Sequence, residues 1–189
     1  MTKSWIPGRF EVPRVSGLKA PALALVVTSL AAFGLGAWGG VRFNSTGSLP
    51  IGLYRVSTAA DANLAEFCPP GPLSRLSVLR QYRNRGNCPD GDSPLMKPIV
   101  ARSGDVVVLS KSGLEVNGRL LGNTAPRSHD SKARQLPHYA FGTYQVSAGT
   151  VWVASSYHPL SFDSRYFGPI PTSIIRHRLK PFLTLWPND

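Results

Sequence analysis

Two kinds of hydrophobic pattern divide the chain. Residues 20 to 41, APALALVVTSLAAFGLGAWGGV, carry no charged side chain over 22 positions, enough helix at 1.5 Å per residue to cross a hydrocarbon core of roughly 30 Å. A single N-terminal transmembrane helix is expected there. Its Gly and Ala content suits close helix approach in lipid, and Trp38 falls where an interfacial aromatic belongs. From residue 51 onward the apolar runs are short and bounded by turn residues: LYRVS, KPIVA, VVVLS, LEV and RLL, TYQVS, TVWVAS and IIRHRLKPFLTLW. No amphipathic helix of convincing length appears among them. These runs predict a mainly β domain, with an antiparallel, coiled sheet or incomplete barrel. The sharpest local signal is LEVNGRLL, where Asn117 and Gly118 supply the two positive-φ positions of a type I′ turn between short strands.

Two stretches break the strand pattern. Residues 60 to 92 have no clean period, and residues 122 to 140 are polar with scattered Pro and basic side chains; both are expected to be surface loops inserted into the domain. The expected organisation is a basic N-terminus (1–19), a membrane span (20–41) and an exported domain (42–189). Lys3, Arg9, Arg14 and Lys19 against Glu11 hold the N-terminus in the cytoplasm, because basic flanks stay on that side. The rival reading is a cleaved secretory leader, since a basic start, an apolar run and small residues near Ala37 also make one. A leader's apolar run is usually shorter, about 7 to 15 residues.

A net charge of +11 suits an anionic neighbour, either nucleic acid or membrane head groups, and speaks to association and not to fold. Arg75, Arg80, Arg83 and Arg85 around Tyr82 frame the alternative of a non-enzymatic, membrane-anchored module that binds DNA or an anionic partner. A solvated basic loop is the plainer reading, and nucleic acid is not the expected partner. Cys68 and Cys88 lie in the exported domain, where disulfides persist, and a bridge between them is expected. Closing a loop of about 20 residues stabilises by roughly 3 kcal/mol in the chain-entropy model. A metal pair or a thiol nucleophile are the alternatives, but neither cysteine has a CxxC partner or a histidine companion in sequence. With no HExxH, no paired Cys/His spacing and no glycine-rich phosphate loop, neither a metal nor a cofactor is expected.

Three stretches carry candidate chemistry. In NSTGSLPIGLY, residues 44 to 54, Gly47 can adopt backbone angles closed to other residues and Pro50 fixes its own φ and biases Leu49 to extended geometry. Ser48 is thereby offered as a nucleophile on a tight turn. Lys97 stands among Met96, Pro98, Ile99 and Val100 in what reads as a strand entering the core; desolvation there disfavours the ammonium form and makes the amine a base. In SFDSRYFGPIP, residues 161 to 171, Asp163 and Arg165 are spaced to pair, beside the hydroxyls of Ser161 and Ser164. A Ser, His, Asp triad is the competing enzyme reading, with His129, His138, His158, His177 and Asp130 available.

In order and spacing these stretches resemble the membrane-bound type I signal peptidases with a serine and lysine dyad, and within them the TraF-like, conjugative-transfer branch. The resemblance covers about residues 20 to 175. It implies that Ser48 is the nucleophile, Thr46 an oxyanion-hole hydroxyl, Lys97 the general base and Ser161 the hydroxyl that orients it. LMKPIVARSGDVV, residues 95 to 107, resembles the lysine box, with Gly104 and Asp105 at its Gly, Asp pair; Asp163 and Arg165 match a structural ion pair. Pro98, Ser103 and the run SSYH (155–158) depart from the housekeeping enzymes and favour the TraF-like branch over a general signal peptidase that removes leaders from secreted proteins. What the resemblance implies is a peptidase of the bacterial inner membrane with its catalytic domain in the periplasm. Its substrate is then a pilin or other membrane-associated precursor, and the acyl-enzyme is resolved by water or, in a cyclisation, by the pilin's own amine.

Overall fold

The computed structural model of the protein describes residues 21, 24–31, 34 and 40–185. The chain divides into two units, residues 1–40 and 41–189. In the first, residues 21, 24–31 and 34 are helical, and no described helix is long and apolar enough to cross a membrane. The basic N-terminus and ten of the 22 residues of the span expected over 20–41 lie outside the described residues.

The second unit is mainly β, and every strand pair in it is antiparallel. Numbered along the chain, its strands are β1 (Val41–Asn44), β2 (Ile51–Val56), β3 (Leu64–Phe67), β4 (Leu95–Ala101), β5 (Val106–Ser110), β6 (Gly113–Val116), β7 (Arg119–Leu120), β8 (Gly142–Gln145), β9 (Thr150–Val153), β10 (Ile170–Pro171) and β11 (Ile175–Leu185). Seven of them form one sheet in the order β1-β2-β11-β3-β4-β9-β10, and four form a second in the order β7-β6-β5-β8. Two short helices, α1 (Gly71–Leu79) and α2 (Ser164–Phe167), lie in the connections.

Strand β9 divides the interior. Val151 and Val153 join a core with Phe67, Ile99, Phe162 and Phe167, whereas Trp152 and Ala154 join another with Val107, Leu109 and Leu114. Both faces are buried, so TVWVA reads as a continuous apolar run and not as an alternation. Strand β4 shares the arrangement through a register shift between Ile99 and Ala101 that turns Ala101 into the second core.

Strand β11 is the longest element and belongs to two partners. Its C-terminal half pairs with β2 and its N-terminal half with β3. The ladder with β2 shifts register between Pro181 and Leu183, at a proline that has no N–H to give it. There β2 comes so close that a Cβ on Gly52 would stand 2.3 Å from the Leu183 carbonyl oxygen. Gly52 is thus fixed by a close strand approach.

The type I′ turn is present: Asn117 and Gly118 have φ of 49° and 82° and connect the paired residues Val116 and Arg119. Residues 122 to 140 form no helix and no strand beyond an isolated bridge between His129 and Gln135. The expectation for residues 60 to 92 needs correcting, because they contain β3, an interior strand of the large sheet, and the nine-residue helix α1. All four residues of β3 are buried, so LAEF has no polar face to alternate with. Helix α1 begins with Pro72 in its first turn, where proline is tolerated because that N–H has no helical partner. The Cys68–Cys88 bridge closes this segment, as expected.

Candidate active site

The hairpin between β1 and β2 presents Ser48 at its tip, and one buried side chain shapes that tip. Asn44 Nδ2 lies 2.8, 3.0 and 3.2 Å from the carbonyl oxygens of Thr46, Leu49 and Pro50, while its Oδ1 accepts from the Thr46 N–H and hydroxyl. Leu49 plugs a small core with Tyr54, Leu64 and Leu179. Burial pushes the Tyr54 phenol up to about 12, which keeps it a donor to the Pro50 carbonyl at 2.6 Å. The turn is therefore held from inside. Gly47 is outside the positive-φ set, against the expectation from its type. It is small because His158 occupies the adjoining space: a Cβ at Gly47 would lie 3.1 Å from His158 Cδ2.

Lys97 arrives on β4 at an inward position in register with Ile99 and Ala101. Its amine is 3% exposed at the residue level and lies 2.5 Å from Ser48 Oγ and 2.9 Å from Ser161 Oγ. Burial lowers the pKa from 10.5 to about 8; Asp163 opposes this and Arg165 reinforces it. At pH 7 about a tenth of the amine is then in the neutral, basic form. Three residues from distant parts of the chain thus share one hydrogen-bonded line, Ser48, Lys97, Ser161.

The box around residues 161 to 167 is a rigid bracket behind that line. Asp163 and Arg165 are both fully buried and pair bidentately, with Nε to Oδ1 at 2.8 Å and Nη2 to Oδ2 at 2.9 Å. Asp163 also caps α2 by accepting from the Arg165 N–H. Arg165 donates to the carbonyls of Ser161, Asn123 and Pro159, which fixes the backbone carrying the Ser161 hydroxyl. Such a pair is costly to desolvate, and its use here is positional.

Ser155 and Asn44 were not singled out by sequence reasoning. The Ser155 hydroxyl donates to the Ser48 carbonyl at 2.6 Å across 107 residues, and its N–H donates to Asp163 Oδ2. It ties the Ser48 backbone to the buried pair. Thr46 is exposed and its hydroxyl donates to Asn44, so its role at present is in the turn. Gly104 and Asp105 build the β4–β5 turn instead: Asp105 accepts from the Arg102 N–H and from Asn117 Nδ2, and neither residue lines a cavity with Ser48 or Lys97. No histidine is bonded to Ser48 among the described residues. His158 Nδ1 accepts from the Leu160 N–H, and His177 is engaged with Glu66.

A cavity of about 280 Å³ opens beside Ser48 and Lys97. Its walls are largely apolar, from Leu95, Leu136, Phe162 and Tyr166, and its rim is supplied by Tyr82 and Asp130 of the two irregular segments. Those segments are braced together where the Tyr82 hydroxyl donates to Asp130 at 2.7 Å and Arg80 donates to the Gln135 carbonyl at 2.7 Å. The site can present a serine oxygen and an adjacent amine to a group that enters the cavity.

The model of a family described as signal peptidase, peptidase S26, matches residues 22–183. A plasmid transfer protein TraF of Escherichia coli is 37% identical over 177 residues, covering 88% of this chain and 97% of that protein. A probable conjugal transfer protein TraF of Sinorhizobium fredii is 34% identical over 180 residues, covering 93% and 92%. A conjugal transfer protein TraF of Agrobacterium fabrum is 33% identical over 158 residues, covering 81% and 88%. Among solved structures, a signal peptidase I from Enterococcus faecalis matches with a TM-score of 0.36 at 17% identity, over 66% of this chain and 99% of that one.

Proposed function

The chain belongs to the signal peptidase, peptidase S26, family, and on that premise we propose that it is a membrane-anchored serine endopeptidase that uses Ser48 and Lys97 to mature a conjugative pilin precursor. The observation that carries the reading is the buried amine of Lys97, 2.5 Å from the Ser48 hydroxyl with a pKa lowered to about 8. Neutral Lys97 takes the Ser48 proton as the oxygen adds to the scissile carbonyl, and the resulting ammonium returns a proton to the departing amine. The acyl-enzyme on Ser48 is then cleared by water or by the precursor's own N-terminal amine, the second route giving a cyclic product. Ser161 holds the amine in line throughout.

The oxyanion is assigned to the Ser48 N–H and to the Thr46 hydroxyl, the latter after it turns away from Asn44; one such donor contributes roughly 3 to 4 kcal/mol. Conjugation enters through the relatives, which are plasmid and conjugal transfer proteins. Placement at the outer face of the bacterial inner membrane rests on the uncharged run 20–41 and on an outward apolar row near the turn. Phe43, Leu183 and Leu185 are 66%, 66% and 71% exposed, and register sets Phe43 and Leu183 against Leu53, and Leu185 against Ile51. An interfacial site of this kind meets precursors where they leave the bilayer.

The test is expression of the full chain with a candidate pilin precursor, wild type against Ser48→Ala and Lys97→Ala, read by mass spectrometry of the pilin. Both variants should leave the precursor intact, and processing that persists in both defeats the dyad. DNA binding without cleavage would favour the non-enzymatic module. Against that module, Arg83 is sealed inside with its guanidinium on Ser77, the Ser93 carbonyl and Asp90.

A further inference from the structure

A second cavity, of about 380 Å³, shares Thr46 and Lys97 with the catalytic one and runs away from Ser48 between β1 and the segment 82–96. Besides Lys97, its charged walls are Arg42, Arg83, Arg85 and Glu66. Three of these are committed. Arg42 Nε donates to both Glu66 oxygens, at 3.0 and 3.2 Å, and His177 also meets that carboxylate. Arg83 is bonded to Asp90, Ser77 and the Ser93 carbonyl. Arg85 is different: it is exposed, and its side chain makes no hydrogen bond or ion pair among the described residues.

Arg85 is nonetheless on a stiff support. The chain doubles back around it through the Arg85↔Asp92 bridge and the Gly86 N–H to Gly91 carbonyl bond. The two strands of this turn touch so closely that a Cβ on Gly86 would stand 2.4 Å from the Ser93 Cα. Cys88 ties the same turn to Cys68, and buried Arg83 ties it to Asp90. A guanidinium carried on a pinned backbone, facing a cavity whose carboxylate is already neutralised, leaves an uncompensated positive charge on the wall of a cavity that also reaches Lys97. Asn84, Ser45 and Ser93 add neutral donors to the same walls.

We propose that this cavity is a subsite for a carboxylate of the precursor, held by Arg85 within a few residues of the cleaved bond. The inference deepens the peptidase reading and rests on it for the identity of the ligand as a peptide. The carboxylate has two possible sources, an acidic side chain or the free C-terminus of a short segment being removed. Both match a guanidinium fork, which binds carboxylates bidentately. The segment 60–92 then has a second use: the bridge that stabilises it also aims a specificity residue.

The test uses synthetic peptides spanning the cleavage point, with glutamate or glutamine at each of about three positions on either side and with a C-terminal acid or amide. Cleavage is measured with the full-length protein in detergent, and equilibrium binding in parallel with the Ser48→Ala protein, comparing Arg85 with Arg85→Glu in each. One acidic form should be favoured about tenfold in kcat/KM and in binding, through KM more than kcat. Arg85→Glu should erase or invert that preference, and a rise in salt should weaken it. A glutamate effect confined to one position identifies a side chain, and an acid-over-amide effect alone identifies the terminus. Equal binding of all peptides, or a preference that survives Arg85→Glu, overturns the proposal. Absence of cleavage with the carboxylate preference intact in binding defeats the peptidase reading and leaves the subsite standing.

Discussion

Both sheets pack apolar side chains, but only the larger one also holds a buried polar chain. Around the four-stranded sheet the interior is Val107, Leu109, Leu114, Val146 and Trp152, and its strands β5, β6 and β7 join through two-residue turns. Behind the seven-stranded sheet lies a buried polar chain of Asn44, Lys97, Ser155, Ser161, Asp163 and Arg165, joined by hydrogen bonds that span 49, 64 and 107 residues. No buried side-chain nitrogen or oxygen is left without a partner among the described residues. The apolar region stores stability. The polar one spends it to hold a lysine where water would have kept it charged.

Replacing Lys97 by Met breaks this contrast most sharply. Activity should fall by at least about 10⁴-fold, as for loss of any member of a nucleophile and base pair, while the thermal midpoint at pH 7 rises. The sign follows from linkage. The folded pKa is about 8 against a model value of 10.5, so below about pH 8 the lysine is charged in both states and the wild type bears the full burial penalty of roughly 3 kcal/mol. Between about 8 and 10.5 the unfolded chain binds more protons, wild-type stability climbs with pH, and the advantage of Lys97→Met disappears. Paired melts at pH 7 and pH 10 check this, and a wild-type kcat/KM that fails to rise with pH up to about 8 counts against the base.

Next in size are Asp163→Ala and Leu109→Ala. The first leaves Arg165 buried without its counter-ion and should cost about 3 to 5 kcal/mol; the second opens a cavity and should cost about 2 to 5 kcal/mol. Their losses in chemical denaturation will be similar. Only Asp163→Ala should also lower kcat for the fraction that remains folded, because Ser161 and Ser155 both lean on the pair. Equal kcat losses in the two variants would dissolve the division of labour.

Ser155→Ala is a finer probe. It frees the Ser48 carbonyl and should cost about 1 to 2 kcal/mol, with kcat down roughly tenfold and little change in KM. The smallest effect is expected from Gly118→Ala in the type I′ turn of the four-stranded sheet. A positive φ should cost about 1 kcal/mol in denaturation with cleavage untouched.

The same division explains what could be read from the chain alone. The β6–β7 turn is legible because its two signal residues are adjacent, and Ser48, Lys97, Ser161, Asp163 and Arg165 sit in stretches whose composition is unusual. Asn44 and Ser155 are invisible because each does its work through partners that only folding brings near: an asparagine before a turn and a serine at a strand end are ordinary in sequence. Strand β3 escaped because burial on both faces removes the polar alternation that marks a strand. Helix α1 escaped because it starts at Gly71 and Pro72 and carries no strong apolar stripe.

Strand β11 lies between β2 and β3, so the backbone pairing that joins the hairpin bearing Ser48 to the strand bearing Lys97 runs through it. It follows both of them in the sequence. Lys97 lies 78 residues, and Ser48 still further, ahead of Ile175, the start of the strand whose pairing sets the two side by side. The contact between Ser48 and Lys97 is therefore a late product of folding, contingent on a strand far along the chain from either residue.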